Sequence, residues 1–257
     1  MLVCVLASGS GGNAIYIESR GTALLVDQGL SHRELIKRMS LMCIDINKIK
    51  AILVSHEHTD HVYGAGKTSR DLGIPIFATT GTLNGMNKHL KGDENIIAVS
   101  GSETFKIESF EITPFSVSHD AIDPVQFCVV SGRKKVSVAT DLGFVSNLVV
   151  QRLNGSDIVI IESNYDIEML KKGSYPWELK QRIMGKRGHL SNKNASELVF
   201  NISQNGTKKV VLAHLSRENN MPEIAERTIR EIFEQYDKKM NSLTIALQDE
   251  PTDVFEI

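Results

Sequence analysis

The densest group of side chains capable of chemistry is the stretch His56-Glu57-His58-Thr59-Asp60-His61. Imidazole nitrogens and carboxylate oxygens bind divalent transition metals. His56 and His58 are two residues apart, so in extended backbone both side chains point to one side and can hold one cation. Asp60 and His61 follow as the chain turns and can face a second cation. Three of the chain's eight histidines lie here, which favours a metal site over a polar loop that is rich in histidine by chance.

The apolar run Ala51-Ile52-Leu53-Val54 directly precedes these ligands. It is short and rich in branched residues, so it predicts a buried strand whose end presents the ligand loop. Three further candidates, His119, Asp141 and His214, also lie at the ends of predicted strands. Asp27 ends another strand, either as a partner that orients a ligand histidine or as a turn residue.

Length and composition predict one soluble domain over 1–257, because no linker rich in proline or glycine divides the 257 residues. The net charge of −2 gives the chain no overall attraction to nucleic acid, so a polyanion would have to meet a local patch. The apolar N-terminus lacks a basic leader and is too short to span a membrane, which predicts a cytoplasmic protein. Cys4, Cys43 and Cys128 fit buried free thiols, with a disulfide or a metal role as alternatives.

The predicted elements are mixed. Strands follow one another from 95 to 140, and helices are predicted over Leu30–Met42, Val62–Leu72 and Thr80–Leu90. Helices and strands alternate in the last third of the chain. This distribution predicts an α+β fold of two packed sheets with helices on the outer faces.

The strand-end donors together suit a pair of adjacent cations bridged by one carboxylate, for which Asp141 is the candidate because a carboxylate has two oxygens. Imidazole with carboxylate suits zinc or manganese, with iron as a further option, better than magnesium or calcium. Two such ions, about 3.5–4 Å apart, activate water and stabilise an in-line displacement. The first predicted site is His56, His58, His119 and Asp141. The second is Asp60, His61, Asp141 and His214.

The ligand motif, with His119, Asp141 and His214 spaced in this order, resembles the metallo-β-lactamase superfamily over the range from Asp27 to His214. The resemblance implies a four-layer αββα sandwich and a metal-dependent hydrolase. Asp141 resembles the family's bridging aspartate, where true β-lactamases carry cysteine or lack the bridge. Redox di-iron members have glutamate where this chain has His58. The resemblance therefore points away from both antibiotic hydrolysis and redox chemistry.

The later motif Gly188-His189-Leu190-Ser191-Asn192, followed by Leu212-Ala213-His214-Leu215-Ser216, resembles ribonuclease Z and related phosphodiesterases. In that comparison His189 protonates the leaving oxygen, a role that suits an acid with a pKa near neutrality. The alternative for His189 is a turn residue before a helix. We expect His189 and Asp60 to be the catalytic residues.

The opening Leu6-Ala7-Ser8-Gly9-Ser10-Gly11-Gly12-Asn13, the triplet His119-Asp120-Ala121 and the His189 motif are together similar to the bacterial YycJ/WalJ (VicX) subfamily. The resemblance implies a cytoplasmic exonuclease that acts on DNA from a 5′ end, with a link to mismatch repair and DNA-repair partners. The glycine-rich opening is either a substrate-side loop or a plain tight turn. The predicted substrate-binding residues are Ser8, Ser10, Asn13, Arg187 and Asn192.

The segment from Glu168 to Lys193 is basic in an otherwise acidic chain. Tyr175 and Trp177 lie within it and could stack on a base. The alternative is a solvated helix face with an aromatic residue in the core. The basic residues of the segment are Lys171, Lys172, Lys180, Arg182, Lys186, Arg187 and Lys193.

Three functions compete. The first is a two-metal phosphodiesterase on DNA, and the second is a hydrolase of a small cyclic phosphodiester or thioester at the same metals. The third is a metal-bound protein without catalysis that docks a repair or signalling partner. Activity that falls as salt rises favours a polyanionic substrate over a small one.

Overall fold

The computed structural model describes residues 1–240 and 242–257. The strands are β1 (Leu2–Ala7), β2 (Ala14–Ser19), β3 (Thr22–Val26), β4 (Ile49–Leu53), β5 (Ile76–Thr79), β6 (Ile96–Val99), β7 (Phe105–Ile107), β8 (Phe110–Ser116), β9 (Val125–Ser131), β10 (Lys134–Ala139), β11 (Ile158–Glu162), β12 (Lys209–Ala213), β13 (Leu243–Ile245) and β14 (Phe255–Glu256). The helices are α1 (His32–Leu41), α2 (Thr59–Val62), α3 (Ala65–Leu72), α4 (Thr80–Gly85), α5 (Asn147–Leu153), α6 (Ile167–Lys172), α7 (Trp177–Met184), α8 (Asn192–Ser203) and α9 (Pro222–Glu234).

The chain divides into two compact units. The first unit comprises Met1–Ser116, Ala121–Lys134 and Leu247–Ile257, and the second comprises Val117–Asp120 and Lys135–Ala246. Each unit supplies several of the predicted ligands. That the whole range 1–257 forms one domain stays a prediction.

The first unit contains a sheet with the strand order β14-β1-β2-β3-β4-β5-β6. Pairing is antiparallel from β14 to β3 and parallel from β3 to β6. The same unit pairs β7, β8 and β9 as an antiparallel group. Because β3 and β4 are parallel, their carboxyl ends meet at one edge of the sheet, the edge where open sheets bind ligands. Asp27 follows β3 there, and its N–H donates to the carbonyl of Leu53 at 2.7 Å.

The second unit pairs β10, β11, β12 and β13 in parallel. Parallel neighbours need long crossovers, and helices α5 to α9 lie in these connections. The register aligns Ala139 with Ile161 and Glu162 with Ala213. Asp141 and His214, which directly follow β10 and β12, therefore lie with Glu162 at one edge of these strands.

The start and the buried face of helix α1 follow from its local sequence. The Oγ of Ser31 accepts from the backbone N–H of Glu34 at 3.2 Å, which satisfies a donor that the first turn leaves free. Leu35 and Met39 are buried, while Leu41 is 66% exposed. The predicted helix over Leu30–Met42 is thus confirmed with slightly shorter ends.

The prediction of one continuous helix over Val62–Leu72 is wrong, because the chain forms two separate helices there, α2 and α3. The carbonyl of Asp60, which would accept the next helical bond, accepts instead from the N–H of Asn13 at 2.7 Å. The N–H of Gly64 donates to the carbonyl of Gln28 at 2.9 Å. A contact with a distant turn therefore interrupts the helix.

The second correction is to Thr80–Leu90, where α4 ends at Gly85 and a short 3-10 turn follows over Asn87–His89. Two glycines within α4, Gly81 and Gly85, lower its helix propensity. Helix α5 precedes β11 in the chain and helix α6 follows it. Neither helix was predicted from the sequence.

All three cysteines carry free thiols. Cys4 and Cys128 are buried, and burial raises the pKa of the Cys4 thiol to about 11. The prediction of burial is wrong for Cys43, which is exposed because it lies in the turn after α1, with a φ of 55°. Among the described helices, none is long and apolar enough to cross a membrane.

Replacing Leu35 by alanine tests the packing of α1. Leu35 is fully buried, so Leu35→Ala should lower the free energy of unfolding by about 2–5 kcal/mol. The exposed Leu41 on the same helix is the matched control, and Leu41→Ala should change it by less than about 0.5 kcal/mol. Urea denaturation followed by circular dichroism measures both, and equal losses would contradict the packing described.

Candidate metal centre

The histidine-rich loop of the first unit brings its imidazoles together. The Nε2 of His56 lies 3.0 Å from the Nδ1 of His58. The ring centroids of His56 and His61 are 4.1 Å apart. His56 and His61 are buried and His58 is half-buried. Ring nitrogens held this close need a proton or a cation between them, so the loop has the geometry of a metal half-site.

Asp27 and Ser55 orient two of these rings. The Oδ2 of Asp27 lies 2.8 Å from the Nδ1 of His61, and it also accepts from the Oγ of Ser55 at 2.9 Å. The same Oγ lies 3.0 Å from the Nδ1 of His56. Because these contacts use both Nδ1 atoms, a cation would be bound through the Nε2 atoms. That of His56 lies 3.0 Å from the Nδ1 of His58, and that of His61 lies 3.4 Å from the Oδ2 of Asp60. This is the contact expected of an orienting carboxylate, although its role in metal binding stays a prediction.

The glycine-rich opening supports Asp60. The Nδ2 of Asn13 lies 3.1 Å from the Oδ2 of Asp60, which itself lies 3.4 Å from the Nε2 of His61. The N–H of Gly9 donates to the Oδ1 of Asn13 at 2.8 Å. Asn13 is buried, so its placement favours a supporting role for the turn. Ser8 is buried as well and Ser10 is exposed. Substrate binding by these residues stays a prediction.

The second unit holds a group of four ligand-capable residues. One atom from each lies within 4.8 Å of the others, and the residues are Asp141, Glu162, His189 and His214. The Oδ2 of Asp141 lies 3.0 Å from the Nδ1 of His214. Burial alone would lower the pKa of His214, but the carboxylates of Asp141 and Glu162 together outweigh it and raise that pKa. Asp141 and His214 both have left-handed backbones, with φ of 55° and 54°.

His119 joins this group from the short segment Val117–Asp120. Its Nδ1 lies 3.1 Å from the carbonyl of Gly188, and its Nε2 lies 3.8 Å from the Oδ1 of Asp141. Burial lowers the pKa of His119, which favours the neutral imidazole that metals bind.

Glu162 is the functional residue that the sequence analysis missed. It is fully buried, and its Oε1 lies 2.6 Å from the Nδ1 of His189. Its Oε2 accepts from the N–H groups of Leu142 and Leu190, each at 2.9 Å. Its position as a carboxylate at the end of an apolar strand, like Asp141, is the signal that could have revealed it.

His189 is held on a sharp turn after α7. A Cβ at Gly188 would lie 2.2 Å from the carbonyl oxygen of Ile183, so only glycine fits there. Burial would lower the pKa of His189, but the carboxylates of Glu162, Asp141 and Asp120 together outweigh it and raise that pKa to about 9. The expectation of a pKa near neutrality is therefore corrected, because the sequence did not reveal the buried partner Glu162.

Several side chains of the basic segment form hydrogen bonds or ion pairs within the second unit. Lys180 is buried and donates to the carbonyls of Lys171 and Gly173 at 2.8 and 2.6 Å. Arg182 pairs with Asp120, whose Oδ1 lies 3.3 Å from the Nε2 of His119. These contacts give Lys180 and Arg182 structural roles in addition to their charge.

Other basic side chains lie at the surface of this segment. Lys171 and Lys172 pair with Glu168 at 3.6 and 3.3 Å. The Nε of Arg187 donates to the carbonyl of His119 at 3.2 Å. Trp177 is 59% exposed and Tyr175 is half-buried, so the alternative that places an aromatic residue in the core is wrong for Trp177.

Asn192 is 2% exposed, and its side chain bonds to the buried amide of Asn220 and accepts from the hydroxyl of Ser163. Substrate binding by Asn192 and Arg187 stays a prediction, and the burial of Asn192 favours a positioning role. The imidazole and carboxylate donors of each unit fit a divalent metal ion. The division of the seven predicted ligands between two ions also stays a prediction.

Comparisons with known proteins agree with these residues. The Beta-lactamase superfamily domain matches residues 22–215. Exodeoxyribonuclease YycJ of Bacillus anthracis is 37% identical over 236 residues, which are 90% of this chain and 88% of that protein. Exodeoxyribonuclease WalJ of Streptococcus pneumoniae is 38% identical over 235 residues, which are 88% of this chain and 85% of that protein.

The fold has a similar relative among solved structures. The metallo-beta-lactamase fold protein YhfI from Bacillus subtilis superposes with a TM-score of 0.75 and 17% identity, covering 98% of each chain. The predicted α+β metallo-β-lactamase fold is thus confirmed. With the family match and the relatives above, the chain belongs to the metallo-β-lactamase superfamily and, within it, to the YycJ/WalJ family.

Proposed function

We propose that the protein is a metal-dependent exonuclease that degrades DNA from the 5′ end with two divalent ions, zinc or manganese, with iron as a further option. The observation that carries this proposal is the pair of buried Glu162 and half-buried His189, grouped with Asp141 and His214. It supplies an oriented acid beside metal-binding side chains. The named exodeoxyribonuclease relatives support DNA as the substrate.

Bound divalent ions would supply Lewis acidity, neutralising charge on the phosphodiester and activating water. His189 supplies the proton. Its Nδ1–H is held by Glu162, so the opposite nitrogen, Nε2, carries the proton that is donated to the leaving oxygen. The raised pKa keeps the imidazolium form populated at neutral pH. Glu162 then stabilises the ring in the orientation from which it is reprotonated.

Substrate binding is assigned to the exposed part of the basic segment. Arg187 and Lys186 are exposed beside the turn that carries His189, and Trp177 presents an aromatic surface. Lysine and arginine attract phosphates, and an exposed indole stacks on bases. The 5′ polarity rests on the family resemblance alone.

The cytoplasm is the proposed compartment, with DNA-repair proteins as proposed partners. The free thiols of Cys4, Cys43 and Cys128 suit a reducing environment. The repair partners rest on the family resemblance.

The direct test is digestion of duplex DNA that carries a label at the 5′ or the 3′ end, with zinc or manganese added. Early release of a labelled mononucleotide from the 5′ end alone is the expected result. The rate should fall steeply as salt rises, because a polyanion exchanges counterions with the protein. Asp141→Asn should abolish release.

Three outcomes would contradict the proposal. Hydrolysis of a small chromogenic phosphodiester at a salt-independent rate, with DNA left intact, would support the small-molecule hydrolase. The absence of turnover on every substrate by metal-loaded protein would support the non-catalytic docking protein. Early loss of the 3′ label would reverse the proposed polarity.

The orienting role of Asp27 predicts weaker metal binding in Asp27→Ala. Loss of the contact at 2.8 Å frees the ring of His61, and such outer partners contribute about 10–100-fold to metal affinity. Competition calorimetry with Zn²⁺ measures the change. The exposed Asp45 of the same unit provides the control, since Asp45→Ala should keep wild-type affinity. Equal affinities in all three proteins would refute the orienting role.

The acid role of His189 predicts that Glu162→Gln slows turnover. Glutamine keeps the shape and an acceptor oxygen but removes the charge that stabilises the imidazolium. At pH 7 kcat should fall by about 10²–10⁴-fold with KM nearly unchanged. Glu231→Gln, at an exposed glutamate of the same unit outside the basic segment, should behave like the wild type. Steady-state kinetics on labelled DNA measures both variants. An unchanged kcat in Glu162→Gln would contradict the role of His189 as the acid.

A further inference from the structure

Three buried asparagines lie beside the backbone that follows Glu162, His189 and His214. Asn164, Asn192 and Asn220 are 8%, 2% and 5% exposed. We call these three residues the amide clamp. A buried amide is unfavourable unless its donors and acceptors are bonded. The bonds of the clamp therefore indicate what these residues hold in place.

Asn192 and Asn220 form a reciprocal pair. The Nδ2 of each donates to the Oδ1 of the other, both at 2.8 Å. Asn192 is the first residue of α8, and Asn220 lies shortly before α9. The Oγ of Ser163 also donates to the Oδ1 of Asn192 at 2.7 Å. The pair therefore joins the starts of two helices to the end of β11.

Asn220 also reaches the backbone that follows Glu162. Its Nδ2 lies 2.8 Å from the carbonyl oxygen of Ser163 and 3.0 Å from that of Asn164. These two carbonyls directly follow the carboxylate that orients His189. The clamp thus fixes the direction in which the chain leaves β11.

Asn164 extends the clamp to His214. Its Nδ2 donates to the carbonyl of His214 at 2.9 Å. The φ of His214 is 54°, a left-handed conformation that a residue with a Cβ adopts only under constraint. The bond from Asn164 supplies part of that constraint, and the conformation sets the direction of the imidazole toward Asp141.

We propose that Asn164 and Asn220 are positioning residues, which fix the orientation of His214 and of the Glu162–His189 pair and so set metal affinity and turnover. Their effect on nuclease turnover rests on the proposed function. Their effect on metal binding is measured separately, with Co²⁺ as the probe.

The experiment compares Asn164→Ala and Asn220→Ala with Asn219→Ala. Asn219 is 1% exposed in the same loop, and within the described residues its Nδ2 has no hydrogen-bond partner, so it lies outside the clamp. Titration with Co²⁺ gives affinity, and the visible absorption of bound Co²⁺ reports ligand geometry. Thermal unfolding without metal gives the stability of each variant.

Both clamp variants should bind Co²⁺ about 10–100-fold more weakly, with an altered absorption band. Asn219→Ala should keep the wild-type affinity and band, whatever stability it loses. Asn164→Asp, nearly the same shape but with an oxygen facing the His214 carbonyl, is the second variant if an alanine variant fails to fold. It should reproduce the weaker binding.

Folded clamp variants with wild-type Co²⁺ affinity and absorption would overturn the proposal and leave the clamp a stabilising network only. An equal loss of affinity in Asn219→Ala would also overturn it, since any buried amide would then have the same effect. A wild-type protein that binds Co²⁺ but leaves DNA intact would refute the proposed nuclease, while the Co²⁺ comparison would still decide the role of the clamp.

Discussion

The structure depends on pairing carboxylates that are removed from water. Asp27, Asp141 and Glu162 are at most 2% exposed, and a buried charge without a partner would be strongly unfavourable. Each carboxylate follows or ends a strand and contacts a histidine, and the pairs are Asp27 with His61, Asp141 with His214 and Glu162 with His189. Parallel strands allow this, because their ends meet at one edge. Within each unit the strand ends therefore hold carboxylates together with histidines, and these groups would not remain buried separately.

The same strand ends carry unusual backbone. Asp27, Asp141 and His214 have φ of 59°, 55° and 54°. Left-handed conformations of residues other than glycine gather at functional sites, where surrounding bonds hold them. Here those bonds include the N–H of Ser55 to Asp27 and the amide of Asn164 to His214. These bonds stabilise the strained backbone conformation, and the conformation in turn fixes the direction of the side chain.

The sequence predicted those features that depend on short spacing. The loop from His56 to His61 and the strand before it are local patterns, so their chemistry was visible without the fold. The strand end marks Glu162 as a candidate, as it does Asp141, but only the fold shows that its partner is His189. The break between α2 and α3 depends on Asn13 meeting Asp60, and the pairing of Arg182 depends on Asp120. Such contacts join residues far apart in sequence, which periodicity does not detect.

The exposed Trp177 has a consequence for observing the molecule. It is the chain's one tryptophan, 59% exposed at the start of α7. Indole emission excited at long wavelength therefore has one source, in the basic segment of the second unit. Changes in its emission wavelength or quenching therefore report events at that helix. The protein thus carries a natural optical probe at the surface assigned to its substrate.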